Sequence, residues 1–186
     1  MSGYIEVITG PMFAGKTEEL IRRIKRLEYA KKNIVVLKPT IDKRYSIDEI
    51  VSHSNLRTKS YTISSSSEIM KYVYDDTYAV IIDEVQFLDM ETPNVLNELA
   101  NQGKRVIVSG LDKDFRGEPF GNMPSILAMA ESVTKLTAIC VKCGENATCT
   151  QRIINGLPAR YTDEIVLVGA KESYEPRCRK CHEVIR

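Results

Sequence analysis

Tyr4-Ile-Glu-Val-Ile-Thr9-Gly10-Pro11-Met12-Phe13-Ala14-Gly15-Lys16-Thr17 is the stretch that decides the fold. Its first six residues are largely apolar and β-branched, which reads as a strand. The next eight match G-x-x-x-x-G-K-[ST], a string expected by chance in roughly one chain of this size in a hundred. Leu20, Ile21, Ile24 and Leu27 then recur at helical spacing, so an amphipathic helix comes after the loop. In this strand–loop–helix setting the glycines let the backbone curl its N–H groups inward, and the helix start adds its positive end. Gly10 to Thr17 thus reads as a phosphate cradle. Lys16 is placed to reach the β and γ phosphates, and the Thr17 hydroxyl to ligate Mg²⁺.

Three further runs extend the pattern. Ile34 to Lys38, Ala79 to Ile82 and Arg105 to Ser109 are short and nearly continuously apolar, the character of strands buried on both faces of a parallel sheet. Helical stretches separate them. Ser65 with Glu68 reads as a capping box, Thr92-Pro93 as an N-cap with proline at the first helical position, and Gly103 as that helix's terminator. The cluster Arg22, Arg23, Lys25, Arg26 is expected to be a solvated helix face. Thr40 to Lys59 and Asp112 to Pro124 lack periodicity and read as long loops, of the kind that form lids or stay disordered. The expectation is an α/β fold of the P-loop NTPase type, with a mostly parallel sheet and flanking helices, over residues 1–139. Residues 140–186, where cysteine pairs replace periodicity, are expected to form a small second domain.

Composition sets limits. The 186 residues are 43% hydrophobic and 27% charged, with 26 basic against 25 acidic residues. That balance argues against a chain whose main task is gripping nucleic acid through its phosphates. No apolar run approaches the ~20 residues needed to cross a bilayer, and no basic segment leading into an apolar one precedes Tyr4. The expected setting is the cytosol, where clustered thiols bind metal more often than they form disulfides.

Val80-Ile-Ile-Asp83-Glu84 is an apolar strand ending in two carboxylates. Asp83 suits support of the Mg²⁺ ion, which leaves Glu84 to act as a base. If it activates water the protein is an ATPase; if a substrate hydroxyl, a kinase. The motif does not decide between them.

Cys140-x-x-Cys143 and Cys178-x-x-Cys181 flank 34 residues, 144–177. Four thiolates from two such knuckles fit a tetrahedral structural Zn²⁺ site. His182 is an alternative to Cys181 as fourth ligand. Cys178 to His182 also spells a haem-attachment string, but that reading leaves Cys140 and Cys143 without a role. Cys149 reads as a small buried residue, and His53 has no assignable task.

Taken in order, Gly10 to Thr17, Asp83-Glu-Val-Gln-Phe87, Gly110-Leu-Asp-Lys-Asp-Phe-Arg-Gly-Glu-Pro-Phe120, the four cysteines and Tyr174-Glu-Pro-Arg-Cys178 resemble the zinc-containing (type II) thymidine kinases over nearly the whole chain. The resemblance implies transfer of the ATP γ-phosphoryl group to the 5′-hydroxyl of thymidine, giving thymidine monophosphate for DNA synthesis. It implies Glu84 as catalytic base and Asp83 as metal-supporting acid. Gly10, Pro11, Met12, Phe13, Ala14, Gly15, Lys16, Thr17, Asp42, Lys43, Arg44, Asp83, Glu84, Val85 and Gln86 would border the phosphates. Phe115 would pack against the thymine ring, with Met12 and Leu111 beside its methyl group. Ile165, Val166, Leu167, Val168 and Gly169 would hydrogen-bond the base through backbone groups, and Tyr174 would close over the nucleoside. Zn²⁺ would be scaffold, since four cysteines leave no open coordination position, and would anchor both ends of a long substrate-covering loop between Cys143 and Cys178. Arg116 is a candidate for neutralising transition-state charge, or a solvated surface residue. The resemblance further implies a homotetramer and thymidine triphosphate as feedback inhibitor; composition leads to the expectation of neither nucleic acid nor membrane as partner.

Two rivals remain at this level. One is a P-loop ATPase of nucleic-acid metabolism with a structural zinc ribbon. The other is a zinc-ribbon binding module that holds ATP only as a structural ligand.

Overall fold

The computed structural model describes residues 3–40, 49–51, 57–166 and 172–186. Its centre is a six-stranded sheet of β1 (Tyr4–Thr9), β2 (Ile34–Pro39), β5 (Tyr61–Ile63), β6 (Ala79–Ile82), β7 (Arg105–Gly110) and β8 (Ser132–Lys135). The spatial order is β5-β2-β6-β7-β1-β8, and every pairing is parallel. The expected α/β architecture is the one observed.

Alternating side chains of these strands feed two cores. Val7, Leu37, Ile82 and Val108 point to one, closed by α2 (Thr92–Asn101) and α3 (Met123–Met129). Ile8, Val36, Ile81 and Ile107 point to the other, closed by Leu20, Ile21, Ile24 and Leu27 of α1 (Lys16–Tyr29). Burial on both faces is why the strands carry no polar alternation. The edge strands β5 and β8 went unread because they are short and lack a continuous apolar run: Ser132, Val133 and Lys135 are exposed.

Several local readings shift by a residue or change in kind. Ser66–Tyr72 is a 3₁₀ segment, and the Ser65 side chain does not cap it. Glu68 does reach back, accepting from the Ser64 N–H at 2.6 Å. Helix α2 starts at Thr92 itself, whose hydroxyl donates to the Asp89 carbonyl at 2.7 Å. Gly103, at φ 86°, ends it as expected, with the Lys104 N–H bonding the Leu99 carbonyl. The basic face of α1 is mostly solvated, but Arg23 is not. It joins Arg105 around the buried Glu6 carboxylate, at 2.6 and 2.5 Å.

The polar stretch from Thr40 to Lys59 contains an antiparallel pair, β3 (Glu49–Val51) with β4 (Arg57–Lys59). Asp42, Lys43, Arg44 and His53 lie outside the described residues. The other long loop is ordered. The Asp114 carboxylate accepts from the N–H groups of Arg116 and Glu118, and Lys113 pairs with Pro119 across it.

Past the sheet, β9 (Ala138–Ile139) and β10 (Asn146–Ala147) form one hairpin. β11 (Cys149–Ile154) pairs antiparallel with β12 (Leu157–Pro158) and β13 (Glu172–Arg177). No helix among the described residues is long and apolar enough to cross a membrane.

Candidate active site

Strands β1, β6 and β7 are neighbours, and all run the same way. The segments leaving their carboxyl ends must therefore converge: the Gly10 loop after β1, Asp83-Glu84 after β6, and Leu111 onward after β7. This is where parallel α/β sheets place ligands.

Gly10 is required by space. A Cβ there would lie 2.3 Å from the Leu136 carbonyl oxygen. Gly15 has φ 82° and delivers the chain into α1. Phe13 also takes a positive φ, 65°, and is 45% exposed. Lys16 is buried at the head of the helix, and its ammonium donates to the Pro11 carbonyl at 2.8 Å. Burial lowers its pKa, opposed by the charges of Glu84, Asp83 and Asp112. The same balance brings the cradle lysine and the acidic pair into one electrostatic unit.

Asp83 is buried, accepts from Glu84 N–H at 3.0 Å and is hydrogen-bonded by the Ser109 hydroxyl. Burial first, and the Glu84 charge second, push its carboxyl up to about 7. A carboxylate so poorly compensated fits a cation beside it. Glu84 adopts left-handed backbone, φ 52° and ψ 40°, an uncommon state for a residue with a side chain. Three carbonyls of the adjoining turn, Val85, Leu88 and Asp89, accept from the Asn122 amide at 3.0–3.3 Å.

Beside Glu84 opens a cavity of about 260 Å³, near the lower end of small-molecule sites. Met12, Leu111, Phe115, Ile165, Val166 and Tyr174 line it, with Glu84 itself. These are the sequence-read nucleoside residues, apart from Leu167, Val168 and Gly169, which lie outside the described residues. Sequence reading missed Phe87 and Phe120, edge-to-face at 5.5 Å, and also Lys113, Asp114 and Thr150. The Thr150 hydroxyl accepts from the Met12 N–H at 3.1 Å. That N–H is thus committed to β11.

The four knuckle cysteines come together, with all four Sγ atoms within 4.8 Å of one another. The Cys143–Cys178 separation is 3.6 Å, close to the ~3.8 Å edge of a tetrahedron with metal–sulfur bonds of ~2.3 Å. Cys140 is lowered to about 6: burial raises it, but N–H groups of Cys178, Lys142 and Cys143 outweigh that. Hydrogen bonding to Cys178, Cys143 and Cys140 drives Cys181 up to about 12. Thiols this crowded cannot all ionise without a cation, so the set fits Zn²⁺, held by Cys140, Cys143, Cys178 and Cys181. His182 turns elsewhere: its Nε2 lies 2.8 Å from the Phe115 carbonyl oxygen.

The Gly10 to Thr17 loop, the acidic pair, the apolar cavity and the thiol cluster thus adjoin one another. The family model described as thymidine kinase matches residues 3–182, and the chain, a kinase by that membership, belongs to the thymidine kinase family.

Proposed function

We propose that the protein transfers the γ-phosphoryl group of ATP to the 5′-hydroxyl of thymidine. The observation that carries this reading is the double position of Glu84: it lines the apolar cavity and its charge acts on Lys16 of the phosphate loop. A nucleoside in the cavity would present its 5′-hydroxyl to that carboxylate, with the triphosphate on the other side.

On this reading Glu84 accepts the hydroxyl proton as the oxygen attacks the γ-phosphorus, and ADP leaves in line. Lys16 offsets charge on the transferring group. N–H groups of the Gly10 to Thr17 loop hold the phosphates, with Val85 and Gln86 bordering them. A Mg²⁺ ion, for which Thr17 and Asp83 are the donors, would neutralise phosphate charge and orient the oxygens. Phe115 and Tyr174 bracket the base, while Met12 and Leu111 supply apolar contact. The Zn²⁺ site braces both ends of the chain that covers the cavity. Asp42, Lys43 and Arg44 as donor contacts, thymidine triphosphate as inhibitor and a homotetramer belong to the same proposal through the family alone; a cytoplasmic setting and the division at residues 139/140 belong to it through the sequence pattern.

The test is ADP release from Mg²⁺–ATP, measured with thymidine, with DNA, and with neither. Thymidine-dependent release, indifferent to DNA, is expected. DNA-stimulated turnover without thymidine would overturn the reading in favour of a nucleic-acid ATPase, and ATP binding without turnover in favour of a binding module.

A further inference from the structure

We infer that Arg116 and Arg152 are positioning residues that latch the cavity-covering segment onto Phe115. The inference rests on the nucleoside-kinase reading for its kinetic consequence, though not for its geometry.

The two arginines come from separate parts of the chain, one from the loop after β7 and one from the middle of β11. They reach successive carbonyls of one segment. Arg116 donates to the Asp163 carbonyl at 2.8 Å, and Arg152 to the Glu164 carbonyl at 2.5 Å. The next two residues, Ile165 and Val166, line the cavity. Both guanidinium groups also lie over the Phe115 ring, at 5.4 and 5.1 Å from its centroid. Arg116 lies over Tyr161 as well, at 4.8 Å, and the Tyr161 hydroxyl donates to Glu118. Segment and aromatic ring are therefore tied to each other through two planar cations.

Arginine suits this task because one plane can stack on a ring while its edge donates hydrogen bonds. A lysine ammonium offers charge without that plane. Arg152 is fully buried, a costly place for a cation, and its contacts with Glu164 and Phe115 help offset the cost. Arg116 is engaged with a carbonyl and two rings, an arrangement that serves the covering segment rather than a transferring phosphoryl group.

The two roles separate kinetically. A latch lowers the nucleoside KM, whereas transition-state neutralisation raises kcat. For Arg116→Ala, the expected result is a thymidine KM raised about tenfold, with kcat within about threefold and the ATP KM unchanged. Arg116→Lys should behave like the alanine variant, since charge without the fork does not restore the latch. Arg152→Lys should show the same split. Zn²⁺ content and ATP KM report whether that buried variant is folded. Amide hydrogen exchange across 161–166 in the ligand-free protein should speed up in Arg116→Ala, a readout that stands whether or not thymidine is the substrate. A kcat loss of about a hundredfold at unchanged KM, or rescue by Arg116→Lys, would overturn the latch. So would unchanged exchange across 161–166. Absence of thymidine turnover in the parent protein would instead overturn the kinase reading.

Discussion

The side-chain amide of Gln86 donates to the Glu84 carboxylate at 2.5 Å. Its other end is fixed too, because the amide oxygen accepts from the Leu111 N–H at 3.2 Å. Two glycines press on the residue: a Cβ at Gly110 would fall 2.5 Å from that oxygen, and one at Gly121 2.9 Å from the Gln86 carbonyl. The amide therefore has one orientation, nitrogen toward Glu84. Glutamine here aims the candidate base, beyond the phosphate border that the family resemblance implies.

Gln86→Leu should accordingly lower kcat by about 10- to 100-fold while leaving thymidine and ATP KM within a few-fold, because the carboxylate loses its tether and not its pocket. Gly110→Ala should push in the same direction by displacing the amide oxygen. Steady-state kinetics of both variants check this; unaltered kcat in Gln86→Leu would refute the aiming role.

For Glu84 the expectation is larger. Glu84→Gln keeps the size of the side chain but cannot take up a proton, so turnover should fall by at least ~10²-fold. Thymidine binding by calorimetry should persist, since Met12, Leu111, Phe115 and Tyr174 are among the cavity residues that the substitution leaves in place. Near-normal turnover would remove Glu84 from the role of base.

Asp83 gives a stability prediction with a definite sign. Unfolded, its carboxyl ionises near the ordinary 3.8; folded, burial and the Glu84 charge hold the proton until about 7. Between those values the folded state binds more protons, so stability falls as pH rises through the window. The melting temperature of the protein without Mg²⁺ or nucleotide should decline from pH 5 to pH 8, and Asp83→Asn should flatten that decline. A variant that melts with the parent's pH slope would show that Asp83 is not the source.

These residues also show what a sequence discloses. The strand–loop–helix setting of Gly10 to Thr17 and the strand-end place of Asp83-Glu84 were legible because an apolar run leads into each and a helical repeat follows the first. The parallel sheet was legible because double-sided burial leaves continuous apolar runs. Thr150, Asn122 and Arg152 were not. A polar residue that ends up buried has the same sequence signature as a solvated one, and the partners here are distant: Met12 for Thr150, 138 residues away, and Val85 for Asn122, 37 away. Gln86 was noticed, but its partner Leu111 depends on β6 and β7 being neighbours, which no local pattern states.

The thiol cluster touches the Gly10 to Thr17 loop and the cavity unequally, which sets the order of events expected on metal removal. Cys140 packs with Ala138 and Ala147, and Ala14 of the phosphate loop lies against that small cluster. Toward the cavity the link is more direct: His182, next to Cys181, hydrogen-bonds the Phe115 carbonyl, and β13 carries Tyr174 into the pocket just before Cys178. Losing Zn²⁺ would free the Cys178–Cys181 knuckle, hence both His182 and the root of β13, whereas the Gly10 to Thr17 loop meets this region through Ala14 and, one strand removed, through the Met12 N–H on Thr150. Titration with a chelator, monitored by calorimetry for each ligand, should therefore abolish thymidine binding before ATP binding. His182→Ala, with Zn²⁺ retained by metal analysis, should reproduce part of this by raising the thymidine KM several-fold and leaving the ATP KM unchanged. Simultaneous loss of both ligands in the titration would mean that knuckle and phosphate loop unfold as one cooperative unit, and that His182 carries no separate coupling.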